Sequence, residues 1–151
     1  MELVMTLESV VIVAAKRTPM GGFMGALSDA QSTELGATAI ASALAQTGLA
    51  NDAIDEVIMG CVLPAGLGQA PARQAMLKAG LALSTGATTI NKVCGSGLKA
   101  AMLANDLIKA GSIQSAIAGG MESMTNAPYF IPKARGGMRM GHGEIKDHMM
   151  S

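Results

Sequence analysis

The sequence predicts an α/β fold built on a mostly parallel sheet with helices on both faces. Short apolar, β-prone segments alternate with longer Ala-rich segments, and Gly or Pro residues stand at their junctions. This alternation is typical of parallel strands joined by right-handed helical crossovers. The chain is 50% apolar but only 2% aromatic. Its core must therefore use small aliphatic side chains and Met, which allows helices to pack closely on the sheet.

The first half of the chain contains two predicted strands and one predicted helix. Residues 9–15 contain the continuous apolar run 10–15 and predict a buried strand. Residues 35–46 predict an Ala-rich helix, with Thr33 as the expected N-cap and Gly48 as the left-handed residue after its end. Residues 55–62 predict the next strand.

Two more helices and two more strands follow. Pro71 suits the first turn of a helix, because its missing N–H has no partner there in any case. The predicted elements are a helix over residues 71–78, a strand over 88–93, a helix over 97–109 and a strand over 115–118. The complete predicted order is βαβαβαβ.

The last predicted helix is apolar on more than one side. Leu98 and Met102 belong to one face, and Leu103 and Leu107 belong to another. A helix of this kind requires burial on both faces, and a single sheet covers only one. We therefore expect this helix to expose apolar surface in the isolated chain, which would then tend to aggregate.

The chain changes character after Ser123. Residues 124–151 contain two prolines, four glycines and no clean periodicity. Irregular stretches of this length are uncommon in a compact domain unless they are functional or bound to a partner. We interpret this segment as an excursion from the sheet and the end of the chain as a truncation.

Cys94 is the candidate nucleophile. It lies in Val-Cys-Gly-Ser-Gly (residues 93–97), between a predicted strand and a predicted helix. The free N–H groups and positive dipole end of a helix N-terminus favour the thiolate, which is the nucleophilic form of cysteine. The neighbouring glycines have no Cβ, so a substrate carbonyl could approach the backbone. Most cysteines are inert core residues, and the polar, glycine-rich surroundings distinguish Cys94 from them.

The same glycines allow a second hypothesis. Gly95, Gly97 and Ala100 satisfy the dinucleotide fingerprint G-x-G-x-x-G/A, and Glu122 follows at the distance of an acidic ribose ligand. The preceding segment is half polar, whereas the strand before such a loop is normally apolar. A dinucleotide-binding domain therefore remains the alternative.

Composition excludes several other classes. Eleven basic and eleven acidic residues give no net charge and no basic stripe for nucleic acid. The longest N-terminal apolar run is far shorter than the roughly 20 residues of a membrane span. Two cysteines without a secretory signal favour a reducing, cytoplasmic location over a disulfide framework.

The other cysteine, the histidines and several basic residues are expected to have no catalytic role. Cys61 ends a predicted strand and is expected to be a core residue. His142 and His148 lack the paired cysteines of a zinc site, and we expect them to be exposed loop residues without a role. The following basic side chains are expected to be solvated: Lys92, Lys99, Lys133, Arg135 and Arg139.

Four motifs, in this order along the chain, closely resemble the N-terminal part of a thiolase, and most closely the biosynthetic type. They are VAAKRTP (residues 13–19), GLGQAPARQ (66–74), NKVCGSGLK (91–99) and AGGMESM (118–124). The resemblance extends from about Ser9 to the end of the chain. It implies a thiolase fold, in which two similar βαβαβαββ halves pack their helices together. Residues 1–122 would then be most of the first half, and 123–151 the start of an inserted loop domain.

The resemblance also implies a chemistry. Cys94 would attack an acyl-CoA thioester and become acylated, with its backbone N–H helping to hold an oxyanion. A second acetyl-CoA would then take the acyl group to give acetoacetyl-CoA, or thiolysis would run in reverse. Coenzyme A thioesters would be the substrates and no further cofactor would be needed. The basic run of Lys133, Arg135 and Arg139 could then meet CoA phosphates or a neighbouring subunit. The implied protein is a homodimer or homotetramer at full length and acts in fatty acid metabolism, with no nucleic acid or membrane partner.

Three features of the family are missing from this sequence. They are a catalytic His in a Gly-His-Pro motif, a second Cys that acts as acid and base, and an Asn-Glu-Ala-Phe segment. Neither His142 nor His148 is followed by Pro. We therefore expect the isolated chain to be inactive, and a non-catalytic fragment or interaction partner is the third hypothesis.

Overall fold

The computed structural model describes residues 9–151 and contains a three-stranded parallel sheet with helices on both faces. Its strand order is β2-β1-β3, with β1 in the centre. In chain order the elements are α1 (Ser32–Thr47), β1 (Glu56–Gly60), α2 (Pro71–Lys78), β2 (Gly86–Ile90), α3 (Ser96–Lys109) and β3 (Ala116–Gly120). The α/β prediction is confirmed.

The central strand β1 divides the core into two layers. Val57 and Met59 face the larger layer, which α1 and α2 cover, and Ile58 between them faces α3. Successive strand side chains point to opposite faces of a sheet, so this short apolar strand supplies both layers. The larger layer also contains residues that are nearly inaccessible to solvent: Ile40, Leu44, Cys61, Ala72, Ala75 and Met76.

The helix boundaries follow local signals. α2 begins at Pro71 as predicted, and Gly48 after α1 has the predicted left-handed conformation (φ 71°). The prediction of Thr33 as the N-cap is wrong, because Thr33 lies inside α1 and is buried. α1 begins at Ser32, and its N-cap is Gln31. The N–H of Gln31 donates to the Glu34 carboxylate at 2.9 Å. This contact satisfies a donor of the helix start from within the first turn.

The predicted strand at residues 9–15 is absent from the structure. Residues 9–31 contain no strand or helix, and the apolar side chains of Val11, Ile12 and Val13 are 67–89% exposed. A strand is stable only when a neighbour satisfies its N–H and C=O groups. The strands of the parallel sheet, β1, β2 and β3, pair with one another and not with residues 9–15. The apolar residues of this segment favour a strand, but they do not indicate which other strand it would pair with.

The predicted strand at residues 88–93 is shifted. The structure has β2 at Gly86–Ile90, in parallel register with β1, and residues 91–95 form a turn. The prediction therefore started two residues late and ended three residues late. β3 at Ala116–Gly120 lies close to the predicted 115–118. Because β2 ends at Ile90, residues 91–95 lie outside the strand and are available to form a site.

Helix α3 uses only one of its two apolar faces in this chain. Ala100 and Ala104 are buried against the sheet, whereas Leu98 is 72% and Met102 51% exposed. The small buried alanines bring the helix axis close to β1 and β3. The expectation that α3 would present an uncovered apolar face is confirmed.

Residues 123–151 contain short elements only. Two-residue strands, Tyr129–Phe130 (β4) and Lys146–Asp147 (β5), pair antiparallel, and three short 3-10 helices accompany them. Asn126 anchors this segment by donating from Nδ2 to the carbonyls of Ser28 and Ala30 at 2.9 and 3.0 Å. The assignment of this segment to a loop domain stays a prediction. Within residues 9–151, none of the helices combines the length and the hydrophobicity that a membrane span requires.

Candidate active site at the Cys94 turn

Cys94 lies in the turn between β2 and α3, at the edge of the sheet where the parallel strands end. It is exposed, and α3 begins two residues later at Ser96, with Gly95 as the N-cap. The predicted placement of Cys94 at a strand-to-helix turn is thus confirmed. An exposed thiol beside the start of a helix is accessible to a substrate and close to partial positive charge.

The residue before Cys94 has an unusual backbone conformation. Val93 has φ 48°, in the left-handed region that β-branched residues rarely adopt. Such a conformation costs on the order of 1–3 kcal/mol and persists only where the surroundings impose it. The Val93 N–H donates to Asn91 Oδ1 at 2.9 Å, and its carbonyl accepts from Ser96 Oγ at 2.6 Å. These bonds hold the turn that presents Cys94.

Ser96 closes the turn from inside. Its buried hydroxyl accepts the Lys92 N–H at 2.8 Å while donating to the Val93 carbonyl, so one side chain joins both ends of the strained peptide. The Ser96 N–H also donates to the Val93 carbonyl at 3.1 Å. This role of Ser96 is not predictable from the sequence, because a Gly-Ser-Gly sequence does not indicate where the hydroxyl points.

Glycines allow the start of α3 to sit directly on the sheet. A Cβ at Gly60, the last residue of β1, would lie 2.5 Å from Ser96 Cβ and 2.8 Å from the Ser96 carbonyl carbon. Gly97 approaches β3 closely, and a Cβ on it would lie 3.6 Å from the Gly120 nitrogen. The 3.6 Å at Gly97 is an ordinary contact, so it is the missing side chain of Gly60 that lets the backbones of α3 and β1 meet and fixes the distance of the Cys94 turn from the sheet.

The Glu122 carboxylate is hydrogen-bonded to the protein backbone. Its carboxylate accepts the N–H groups of Val62 at 2.7 Å and Leu63 at 3.3 Å, in the loop after β1. A ribose ligand would need this carboxylate to be free. Gly97 is packed against Gly120 instead of facing open space for a pyrophosphate. The geometry therefore disfavours the dinucleotide-binding hypothesis.

Cys61 is a core residue with one polar contact. It is 2% exposed, as expected, and its Sγ lies 3.8 Å from Glu122 Oε1. Burial, and secondly the negative charge of Glu122, raises the pKa of the Cys61 thiol from 9.0 to about 11. Cys61 is therefore a neutral thiol at physiological pH and a poor nucleophile.

We expect the alkylation of Cys61 by iodoacetamide to reflect this pKa. In the folded protein the rate should still be rising between pH 9 and 10.5, because only the thiolate reacts. In the unfolded protein in urea the rate should be half-maximal near pH 9, the ordinary pKa of the thiol, and should level off above about pH 10. Between those two pKa values only the unfolded chain loses the proton, so the free energy of unfolding should fall as pH rises from about 9 to about 11. Peptide mass spectrometry measures the rates, and a folded-state rate that is half-maximal near pH 9, as in the unfolded chain, would contradict the expectation.

Lys92 belongs to the Cys94 turn through its backbone N–H, and the other basic residues and histidines that the sequence singled out have no assigned part in the site. Lys92, Lys133, Arg135 and Arg139 are exposed, and Lys99 is half-buried. His142 is exposed as expected, but the expectation is wrong for His148, which is half-buried and accepts the Ala65 N–H at Nε2 (3.4 Å). Within residues 9–151, no three His, Cys, Asp or Glu side chains are grouped to hold a metal ion.

Comparison with known families agrees with this architecture. The sequence profile of the family described as "Thiolase, N-terminal domain" matches residues 10–151. The chain belongs to the thiolase family. The match covers the sheet, the Cys94 turn and the tail, so the resemblance seen in the four sequence motifs is confirmed.

Individual thiolase-family relatives are similar over the same region. The chain is 52% identical to an acetyl-CoA acetyltransferase of Pseudomonas aeruginosa over 144 residues, covering 95% of this chain and 37% of that protein. It is 51% identical to the Escherichia coli acetyl-CoA acetyltransferase over 142 residues (93% and 36%) and 50% identical to Arabidopsis thaliana acetyl-CoA acetyltransferase 2 over 143 residues (95% and 36%). The chain thus spans little more than a third of the length of these relatives.

Proposed function

We propose that the protein is an acyl-CoA acyltransferase of thiolase type that carries its acyl group on Cys94. One observation carries the proposal. In a chain of this family, the only exposed cysteine of the described residues lies on a strained turn at the start of α3. The names of its relatives, acetyl-CoA acetyltransferase, support acetyl-CoA as a substrate.

The proposed reaction has two stages. The Cys94 thiolate attacks the thioester carbonyl of acetyl-CoA, the new carbon–sulfur bond forms, and CoA leaves as a thiolate that takes up a proton. A second acetyl-CoA, deprotonated at its methyl carbon, attacks the acyl group to give acetoacetyl-CoA and returns the Cys94 thiolate. The oxyanion of each tetrahedral intermediate needs nearby donors, and the backbone N–H of Cys94 is one candidate.

Acyl transfer also needs an acid and a base, and we assign neither role to a side chain within residues 9–151. We propose that this chain supplies the nucleophile alone, so that residues 1–151 do not turn over acetyl-CoA in isolation. Coenzyme A thioesters are the proposed substrates without a further cofactor, in fatty acid metabolism. Assembly into a homodimer or homotetramer and a cytoplasmic location complete the proposal, the latter supported by the free thiols of Cys61 and Cys94.

Acyl-enzyme trapping tests the proposal directly. The complete protein that contains this sequence is incubated with radiolabelled acetyl-CoA, quenched in acid and digested. We expect a hydroxylamine-labile label on the peptide that contains Cys94 and not on the one that contains Cys61. Absence of label at Cys94 would overturn the proposal. Saturable NADH binding in a fluorescence titration would instead favour the dinucleotide-binding alternative.

A further inference from the structure

Glu122 joins two strand ends at the sheet edge that carries Cys94. It follows β3, and its carboxylate accepts the N–H groups of Val62 (2.7 Å) and Leu63 (3.3 Å) in the loop after β1. The Cys61 thiol also donates to it at 3.8 Å. Hydrogen bonds from backbone N–H groups to a carboxylate are roughly twice as strong as neutral ones. Glu122 therefore fixes the loop after β1 to the end of β3.

The same loop is bonded to the Cys94 turn through Asn91. Asn91 Nδ2 donates to the Val62 carbonyl at 3.4 Å, and Asn91 Oδ1 accepts the Val93 N–H at 2.9 Å. These two partners determine the orientation of the amide, since a carbonyl only accepts and an N–H only donates. Asn91 thus connects the loop that Glu122 holds to the peptide immediately before Cys94.

We propose that Glu122 and Asn91 are positioning residues that hold the Cys94 turn for acyl transfer. A relay of hydrogen bonds runs from Glu122 through the Val62 peptide and the Asn91 side chain to Val93. The inference rests on the proposed function of Cys94. The relay helps to impose the left-handed conformation of Val93, which an isolated valine would not adopt. When it is broken, Val93 can relax and the thiol moves away from the start of α3.

Two substitutions cut the relay at different points. Glu122→Gln leaves one acceptor oxygen for two N–H groups and turns an amide donor towards the second. Asn91→Asp keeps the acceptor for the Val93 N–H and removes the donor to the Val62 carbonyl. Asn91 is exposed, so its replacement should leave the core intact.

Asp55→Asn is the matched control. Asp55 precedes β1, and its carboxylate accepts the N–H groups of Gln114 (2.7 Å) and Ser115 (3.1 Å) just before β3. It therefore joins the same two strands at their opposite ends. Asp55→Asn weakens a comparable pair of bonds, but its site is separated from the Cys94 turn by the length of the sheet.

The variants are compared in the complete protein by the alkylation rate of Cys94, by amide hydrogen exchange at residues 92–95 and by acyl-transfer kinetics. We expect Glu122→Gln and Asn91→Asp each to slow Cys94 alkylation about three- to tenfold, the effect of one or two hydrogen bonds. kcat should fall while KM stays within about twofold, since the reacting group and not the substrate site is displaced. The double variant should match the single variants, because a relay is lost at its first break.

Two results would overturn the relay. One is an effect of Asp55→Asn on Cys94 as large as that of Glu122→Gln, which would indicate general loosening of the sheet. The other is a double variant equal to the product of the single effects, which would mean independent contributions. Alkylation and hydrogen exchange do not depend on catalysis. Failure to trap an acyl group on wild-type Cys94 would therefore remove the proposed function and leave the relay test intact.

Discussion

Replacing Cys94 with Ala is expected to abolish acyl transfer in the complete protein. Without the thiolate no acyl-enzyme can form, and removal of a covalent nucleophile can cost on the order of 10⁶ in kcat. We expect a loss of at least about 10³-fold, allowing for residual catalysis by the binding site. The measurement is the thiolysis rate of acetoacetyl-CoA. Cys94 is exposed, so the free energy of unfolding should change little.

Cys61→Ala is the matched control for this experiment. Both changes remove one thiol, but Cys61 is buried and its neutral thiol makes one long contact with Glu122. We expect Cys61→Ala to keep activity within about threefold, the equivalent of one weak hydrogen bond, and to lower stability instead. Substantial activity of the Cys94→Ala protein, or complete loss of activity in the Cys61→Ala protein, would show that Cys94 is not the nucleophile.

Local signals in the sequence were sufficient for most of the fold. Pro71 marked the first residue of α2, and Gly48 marked the end of α1, because each supplies a backbone geometry that few other residues provide. The prediction of a strand at residues 9–15 is wrong because local signals do not determine strand pairing. Its apolar pattern was clear, but a strand also needs a neighbour, and pairing between distant segments is not encoded in the pattern of one of them.

The candidate site was predictable only in part. Cys94 stood out because strand, cysteine and glycines are adjacent in sequence. The roles of Ser96 and Glu122 depend on contacts made after folding, in a sheet whose central strand is the first of the three. Glu122 is 60 residues from its partner Val62. Sequence spacing made Glu122 look like a ribose ligand, whereas the strand order gives its carboxylate to the backbone of the neighbouring loop.

Gly60→Ala is expected to damage both stability and activity through a single methyl group. The new Cβ would lie 2.8 Å from the Ser96 carbonyl carbon, which is backbone and cannot rotate away. The start of α3 must therefore move, and overpacking of this kind typically costs about 1–3 kcal/mol of unfolding free energy. A displacement of about 1 Å at a reacting group can reduce the rate about 10²-fold. Urea unfolding and the thiolysis rate measure the two effects.

Gly22→Ala is the control for the Gly60 experiment. It adds the same methyl group where no atom lies within 4 Å and where the backbone is not in the left-handed region, so both quantities should stay near wild type. Loss of stability without loss of activity in Gly60→Ala would show that the turn adjusts independently of the sheet. The close contact between β1 and α3 would then serve packing alone. Loss of both would mean that the Cys94 thiol is placed by the glycine at the end of the neighbouring strand, a residue 34 positions earlier in the chain.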